Sequence, residues 1–265
     1  MTSPLGVDVP LVDVNVYLER WPFRRLYGDT PEQLVAKLDE HGVRQAWCGS
    51  FDGLWQRDLA AVNERLAAAC YAASGSQRLV PFGSINPKLP AWNDDLARCH
   101  EKHHMPGIRL HPNYHGYKLD DPALAELLAV ADERALVVQI ALSMEDERTQ
   151  PALVQVPHVD ALPLVEVLKG LPRLRVVMLN AFRSLRVEQS DKLASAGQVY
   201  FELAMLENVA GIERLLKYVP LDRVLFGSHF PFFYYESAVL KLRESSLAGG
   251  QLTAITHENS ERLSG

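Results

Sequence analysis

The sequence predicts an α/β protein folded as one parallel, eight-stranded (β/α)8 TIM barrel. Three observations predict it: eight short apolar runs, helical patterns between them, and a length of 265 residues. A single barrel of this kind takes about 250 residues. The apolar runs do not alternate with polar residues, which is typical of parallel strands covered by helices. No linker or repeat interrupts the pattern, so residues 1–265 are expected to form one domain.

The elements alternate along the whole chain. The predicted strands lie at residues 11–17, 43–49, 79–85, 107–110, 136–140, 174–179, 199–203 and 224–227. The predicted helices lie at residues 31–41, 58–73, 91–102, 122–134, 162–171, 187–196, 209–218, 236–244 and 251–263. Thr30-Pro31 and Asp121-Pro122 each combine a capping side chain with a proline at the first helical position. An open, doubly wound sheet is the alternative, but no GxGxxG follows an early strand.

Composition limits the function classes. A net charge of -6 argues against a nucleic-acid or anionic-membrane surface. The three cysteines have no metal-ligand spacing and indicate reduced thiols. The sequence shows no signal peptide and no apolar stretch near the roughly 18 to 20 residues that span a bilayer. A cytoplasmic protein is therefore expected, and homo-oligomerisation stays open.

Polar residues at the carboxyl ends of the strands are the candidate site, because the βα loops of a barrel converge there. The strand-end candidates are Asn15, Tyr17, Arg109, His111, Asn180, Glu202 and His229. Trp21 and Arg24 follow the first strand and Phe232 follows the eighth, so these loops are expected to form an aromatic rim. Imidazoles, cations and a carboxylate together favour a small anionic organic substrate.

Three motifs carry a resemblance to a known family. They are Phe226-Gly227-Ser228-His229-Phe230-Pro231 at the eighth strand, Gly107-Ile108-Arg109-Leu110-His111-Pro112 at the fourth, and the terminal Asn259-Ser260-Glu261-Arg262-Leu263. Together they resemble the amidohydrolase-related family of metal-dependent hydrolases and decarboxylases, along almost the full chain. The resemblance implies a TIM barrel and a hydrolase or lyase.

The departures from that family concern its metal ligands. The family's first strand reads Asp-x-His-x-His, whereas this chain has Asp13-Val14-Asn15-Val16-Tyr17. The strand-five histidine falls at Ala141, the strand-six histidine at Asn180 and the strand-eight aspartate at His229. Zinc sites need three or more histidine, cysteine or carboxylate ligands. We therefore expect no metal cofactor there; zinc or another divalent ion held by a rearranged set of His111, Glu202 and His229 is the alternative.

The resemblance also includes a metal-independent branch, the pyrone-dicarboxylate lactonases. By that comparison, the chain is predicted to be a hydrolase or lyase acting without metal on a small, carboxylated cyclic or aromatic substrate. The predicted catalytic residues are His229 as general base, Arg109 as carboxylate clamp, Asn180 as hydrogen-bond donor, and His111. The predicted substrate-binding residues are Asn15, Tyr17, Trp21, Arg24, Glu202 and Phe232.

Other interpretations remain open beside these roles. Arg109 can instead form an internal ion pair with Glu202, and His229 can simply hydrogen-bond a loop carbonyl. The alternative functions are a metal-dependent hydrolase with the rearranged ligands and a non-catalytic, metabolite-binding barrel.

Overall fold

The computed structural model describes residues 9–74 and 78–264, in which parallel strands alternate with helices. The strands are β1 Leu11–Leu18, β2 Val43–Ser50, β3 Leu79–Pro81, β4 Gly83–Ser84, β5 Gly107–Leu110, β6 Val137–Ala141, β7 Arg175–Leu179, β8 Gln198–Glu202 and β9 Val224–Leu225. The strands β3 and β4 are the two halves of the predicted third strand, separated by Phe82. The remaining strands lie where the sequence predicts them, to within a few residues at their ends.

The strands close into a barrel, which confirms the predicted fold. Hydrogen-bonded neighbours run in the orders β1-β2-β3 and β4-β5-β6-β7-β8-β9, and the Phe82 amide donates to the Cys48 carbonyl between them at 2.8 Å. The chain after β9 pairs with β1: the Val14 amide donates to the Phe226 carbonyl, and the Tyr17 amide to the Phe230 carbonyl. The first and last strands are therefore adjacent, as predicted.

The α-helices surround this barrel. They are α1 Pro31–Glu40, α2 Leu59–Ser74, α3 Trp92–Ala97, α4 Pro112–His115, α5 Pro122–Glu133, α6 Leu164–Leu168, α7 Ser190–Ala196, α8 Gly211–Leu215, α9 Tyr235–Glu244, α10 Gly249–Thr253 and α11 Asn259–Ser264. The predicted caps form: the Thr30 hydroxyl accepts from the Gln33 amide, and the Asp121 carboxylate from the Ala123 amide. Several predicted helices are shorter than expected, and α4, directly after β5, was not predicted.

Side chains on each strand divide between two hydrophobic layers. On β6, Val138 and Ile140 belong to the layer between strands and helices, whereas Val137 and Ala141 belong to the layer inside the barrel. This is the alternation that a pleated strand imposes. Because both faces of the parallel sheet are buried, inward-facing and outward-facing residues are both apolar. The strand sequences therefore read as continuous apolar runs.

The described part of the chain contains no helix that is both long and apolar enough to cross a bilayer. The predicted lack of a signal peptide concerns the first residues of the chain, and residues 1–8 lie outside the described residues.

Candidate active site

The predicted strand-end residues meet at the carboxyl end of the barrel, and the protein encloses them completely. Seven of them have no solvent-accessible surface: Asn15, Tyr17, Arg109, His111, Asn180, Glu202 and His229. A space large enough for a water molecule beside any of these side chains would give that side chain accessible area. The mouth is therefore filled by its own side chains and by the loops above them.

His229 lies at the centre of this arrangement with its backbone in the left-handed region, at φ 58°. Its Nε2 lies against the Met144 carbonyl, which can only accept a hydrogen bond, so Nε2 carries the proton and Nδ1 does not. The Asn180 amide nitrogen lies 3.3 Å from Nδ1 and 3.4 Å from Nε2. Burial lowers the pKa of His229 to about 3, so the ring is neutral at physiological pH.

Asn180, also left-handed at φ 55°, connects His229 to the first strand. Its Nδ2 donates to the Ser143 carbonyl at 2.8 Å, and its Oδ1 accepts from Asn15 Nδ2 at 2.9 Å. Non-glycine residues with positive φ are uncommon, and they concentrate at functional sites. A chain of contacts thus links Asn15, Asn180 and His229, which occupy positions where the resemblance places metal ligands.

Glu202 lies beside this chain of contacts and is held by backbone amides. Its two carboxylate oxygens accept from the amides of Asn180 and Ala204. Gly227 leaves room for it, because a Cβ there would lie 2.5 Å from Glu202 Oε2. Burial outweighs these donors and raises the pKa of Glu202 to about 7.

This raised pKa gives a prediction for Glu202→Gln. The folded protein holds the Glu202 proton more tightly than the unfolded chain, whose pKa is near 4.5, so the stabilisation is complete below pH 4.5 and is lost as pH rises through about 7. The unfolding free energy of the wild type, relative to Glu202→Gln, should fall over this interval by on the order of 3 kcal/mol at most. Urea denaturation at several pH values measures it, with exposed Glu133→Gln as the matched control. A difference that is constant with pH would contradict the prediction.

Tyr17 and His111 form a second polar pair in the mouth. The Tyr17 hydroxyl lies 3.0 Å from His111 Nε2, and the Tyr17 ring stacks on Phe51 with centroids 5.0 Å apart. Burial, followed by the charges of His115 and Arg109, holds the pKa of His111 well below its usual value. Burial raises the pKa of Tyr17, so both residues are neutral, and the rings of Tyr17 and His229 meet edge-on with centroids 5.7 Å apart.

Arg109 does not occupy the predicted position of a substrate clamp. Its Nε donates to Gln139 Oε1 at 2.7 Å, Nη1 to the Val16 carbonyl at 2.8 Å and Nη2 to the Trp47 carbonyl at 3.0 Å. Its Cζ lies 4.5 Å from the centroid of the Tyr17 ring. The alternative ion pair with Glu202 is absent among the described residues as well. Protein groups take the guanidinium's donors on each side, so Arg109 links strands inside the barrel.

The rim residues come together above His229. The Phe232 ring stacks on the His229 ring at 5.1 Å and meets Trp21 edge-on at 4.9 Å. The Arg24 guanidinium lies over Phe232 at 5.4 Å and pairs with Glu145. Phe232 therefore separates Arg24 from the neutral imidazole beneath it.

The comparison with family models matches residues 13–264 to the amidohydrolase family. The chain belongs to the amidohydrolase family. This membership confirms the resemblance, and with the barrel it accounts for the strand-end position of the site. A search of curated protein sequences finds no match to this chain.

Solved structures share the fold of this amidohydrolase at low sequence identity. A 5-carboxyvanillate decarboxylase from Sphingomonas paucimobilis matches at TM-score 0.74 and 13% identity, covering 97% of this chain and 99% of its own. A 2,6-dihydroxybenzoate decarboxylase from Rhizobium matches at 0.73 and 13%, covering 100% and 99%. A dihydroxybenzoic acid decarboxylase from a Polaromonas species, with bound manganese and 2-nitroresorcinol, matches at 0.73 and 13%, covering 100% and 97%.

The family's metal does not fit the side chains of this amidohydrolase. The five corresponding positions offer one imidazole and no carboxylate, and the Nε2 side of that imidazole faces the Met144 carbonyl. Among these five positions, the buried acceptor without a hydrogen-bond partner is Asn15 Oδ1, which is too little for a zinc or manganese site. The alternative ligand set of His111, Glu202 and His229 is not brought together either. Within residues 9–74 and 78–264, the group of potential ligands found within 4.8 Å of one another is Glu40, His41 and Glu236.

Two residues beside the site were missed by the sequence reasoning. Met144 supplies the carbonyl that fixes the His229 tautomer, and Glu145, 2% exposed, holds Arg24. Both lie in the loop after β6. Extending the strand-end rule by a few residues into that loop would have found the carboxylate, but no sequence signal identifies a backbone carbonyl as a partner.

Proposed function

We propose that this amidohydrolase is a hydrolase or lyase that acts on a small, carboxylated cyclic or aromatic molecule without the family's usual metal centre, with His229 as general base. The observation that carries the proposal is the Asn15–Asn180–His229 chain of contacts at the former ligand positions. Buried ionisable groups are costly, and groups with strongly shifted pKa values at a barrel mouth are functional-site candidates.

The chemistry follows from the tautomer of His229. With Nε2–H against the Met144 carbonyl, Nδ1 is the nitrogen that can accept a proton from a substrate or an attacking water. A proton on the ring would be stabilised by any substrate carboxylate bound beside it, because burial and, after it, the positive charge of Arg109 are what lower the pKa of His229. The Tyr17 hydroxyl lies 3.0 Å from His111 Nε2 on a ring that meets His229 edge-on, and it can donate to a developing oxyanion.

Access to His229 requires a movement of Phe232. The Phe232 ring covers the imidazole and lies in residues 226–234, the segment between β9 and α9. Active-site loops that close over substrate exclude water and commonly move on the microsecond to millisecond scale. The enclosed arrangement is then the closed form of the site.

Removal of metal is the test of this proposal. Turnover of a panel of aromatic carboxylates and cyclic lactones, followed as carbon dioxide release or ring opening, should be unchanged after exhaustive dialysis against a chelator. Elemental analysis should find no stoichiometric zinc or manganese. Loss of turnover on chelation, with recovery on adding either metal, would favour the metal-dependent alternative.

A non-catalytic, ligand-binding barrel is the second candidate. It is favoured by the complete burial of His229 and by the fact that its ring is packed between Phe232 and the Asn180 amide. In that case carboxylates would bind to the protein, but no member of the panel would be converted. Binding and turnover measured on the same panel separate the two functions.

A further inference from the structure

A cavity of about 530 Å³ lies outside the barrel mouth, between the loop after β1 and the loop after β9. Its walls are Arg24, Arg25, Leu26, Tyr27, Lys37, Phe230, Pro231, Phe232, Phe233, Tyr234 and Glu236. Small-molecule sites have volumes in the range of roughly 300 to 1,000 Å³. The cavity therefore has the size for an organic molecule of a few rings or fewer.

The charge of this rim cavity favours an anion. Three cations and one carboxylate line it, and Lys37 already pairs with that carboxylate, Glu236, at 2.6 Å. Arg24 is paired with Glu145, so the net positive charge of the cavity comes from Arg25, and Arg24 contributes its remaining hydrogen-bond donors. A ligand with one or two carboxylates would match it.

Arg24 is held in place for this role. Its Nη1 donates to the buried carboxylate of Glu145, while the Arg24 side chain keeps 37% of its surface exposed. A guanidinium has further donors beyond one nitrogen and can bind a second carboxylate through another edge. Glu145 thus fixes the direction of the guanidinium without using all of it.

The remaining walls favour a planar ring. Phe232, Phe233 and Tyr27 present aromatic surfaces to the cavity, and Tyr27 is 77% exposed. Aromatic rings pack on one another in offset-stacked or edge-to-face arrangements. Since Phe232 also covers His229, one side chain forms the boundary between the cavity and the buried imidazole.

We propose that the rim cavity binds a small planar carboxylate, with its carboxylate on Arg24 and its ring against Phe232 and Phe233. The ligand class rests on the proposed function, whereas the site rests on the cavity and its charges. Arg24 is then the specificity-determining residue, and Phe232 is the side chain that must move for a molecule bound here to reach His229.

Titration of the purified protein with benzoate, followed by calorimetry, tests this binding site. Benzoate should bind saturably, and benzamide, which has the same shape without the charge, should bind more weakly. Arg24→Gln should raise the Kd for benzoate about tenfold or more, the loss of one charge-assisted contact. Arg24→Lys, which keeps a cation beside Glu145 but lacks the planar fork, should give an intermediate Kd.

Arg173→Gln is the matched control, because Arg173 is an exposed arginine paired with Asp132 elsewhere on the barrel. Arg25→Gln, at an exposed position in the cavity wall, provides a second variant in case Arg24→Gln does not fold. Absence of saturable benzoate binding, or a Kd that is the same for the Arg24, Arg25 and Arg173 variants, would overturn the inference.

The outcome is distinguishable from that of the proposed function. Arg24-dependent benzoate binding without turnover of any carboxylate would support the rim site and contradict the hydrolase or lyase. Turnover that depends on His229, with a Kd indifferent to Arg24 and Arg25, would contradict the rim site and support the enzyme.

Discussion

Replacing Arg109 by alanine is expected to lower the free energy of unfolding by about 3–5 kcal/mol, because it leaves several buried acceptors without a donor and a cavity inside the barrel. Arg109 has no exposed surface, and its guanidinium donates to Gln139 and to the carbonyls of Val16 and Trp47. Without it, these acceptors would remain buried and lack a donor, and the Tyr17 ring would lose the cation beneath it.

The space around Arg109 indicates how closely the barrel interior is fitted to it. A Cβ at Gly49 would lie 2.5 Å from Arg109 Nη1, so the absence of a side chain on β2 is what admits the guanidinium. Alanine at position 109 would leave the volume of two methylenes and a guanidinium unfilled. A cavity of that kind adds to the cost of the lost hydrogen bonds because the surrounding strands relax only in part.

Urea denaturation of Arg109→Ala beside Arg148→Ala measures this effect. Arg148 is 83% exposed and pairs only at the surface with Asp146, so its replacement should change the unfolding free energy by less than about 1 kcal/mol. Equal effects of the two substitutions would contradict a structural role for Arg109. If Arg109→Ala kept the stability of the wild type but bound anionic ligands more weakly, Arg109 would be the carboxylate clamp that the sequence predicted.

The barrel could be predicted from the sequence because each of its signals is local. A proline after Thr30 or Asp121 fixes a helix start, and a continuous apolar run such as residues 174–179 fixes a buried strand. Eight strand–helix units are the number that closes a TIM barrel, so the pairing of β1 with the chain after β9 could be predicted as well. The third strand is less regular than predicted, because it is divided into β3 and β4 at Phe82, whose amide donates to the Cys48 carbonyl of β2.

The composition of the site could be predicted, but its contacts could not. The strand-end rule identified Asn15, Asn180 and His229 as neighbours, since it depends only on where each strand stops. Whether Arg109 faces a ligand or backbone carbonyls depends on the size of Gly49, on β2. Whether His229 is open or covered depends on where a loop side chain, Phe232, comes to rest. Neither contact can be predicted from a local sequence pattern, because each depends on tertiary packing.

If the site is catalytic, His229→Ala should lower turnover by about 10²- to 10⁴-fold, the usual contribution of a general base. The imidazole is neutral, its tautomer is fixed by the Met144 carbonyl, and Nδ1 is the nitrogen free of a proton. Because burial holds the pKa of His229 at about 3, the acidic limb of the rate profile that His229 controls should lie well below pH 6.5.

His229→Asn separates the loss of the base from the loss of the side chain's packing. Asparagine tolerates the left-handed backbone that His229 adopts at φ 58°, whereas alanine does so less readily. Asn also carries an amide that can donate a hydrogen bond but has no basic nitrogen. It should therefore retain more of the unfolding free energy than alanine and yet lose turnover to the same extent. His100→Ala, in the helical turn Arg98–Lys102 away from the mouth, is the control for the loss of a histidine. Full turnover in His229→Asn, with stability lost only in His229→Ala, would make His229 a packing residue and contradict its role as general base.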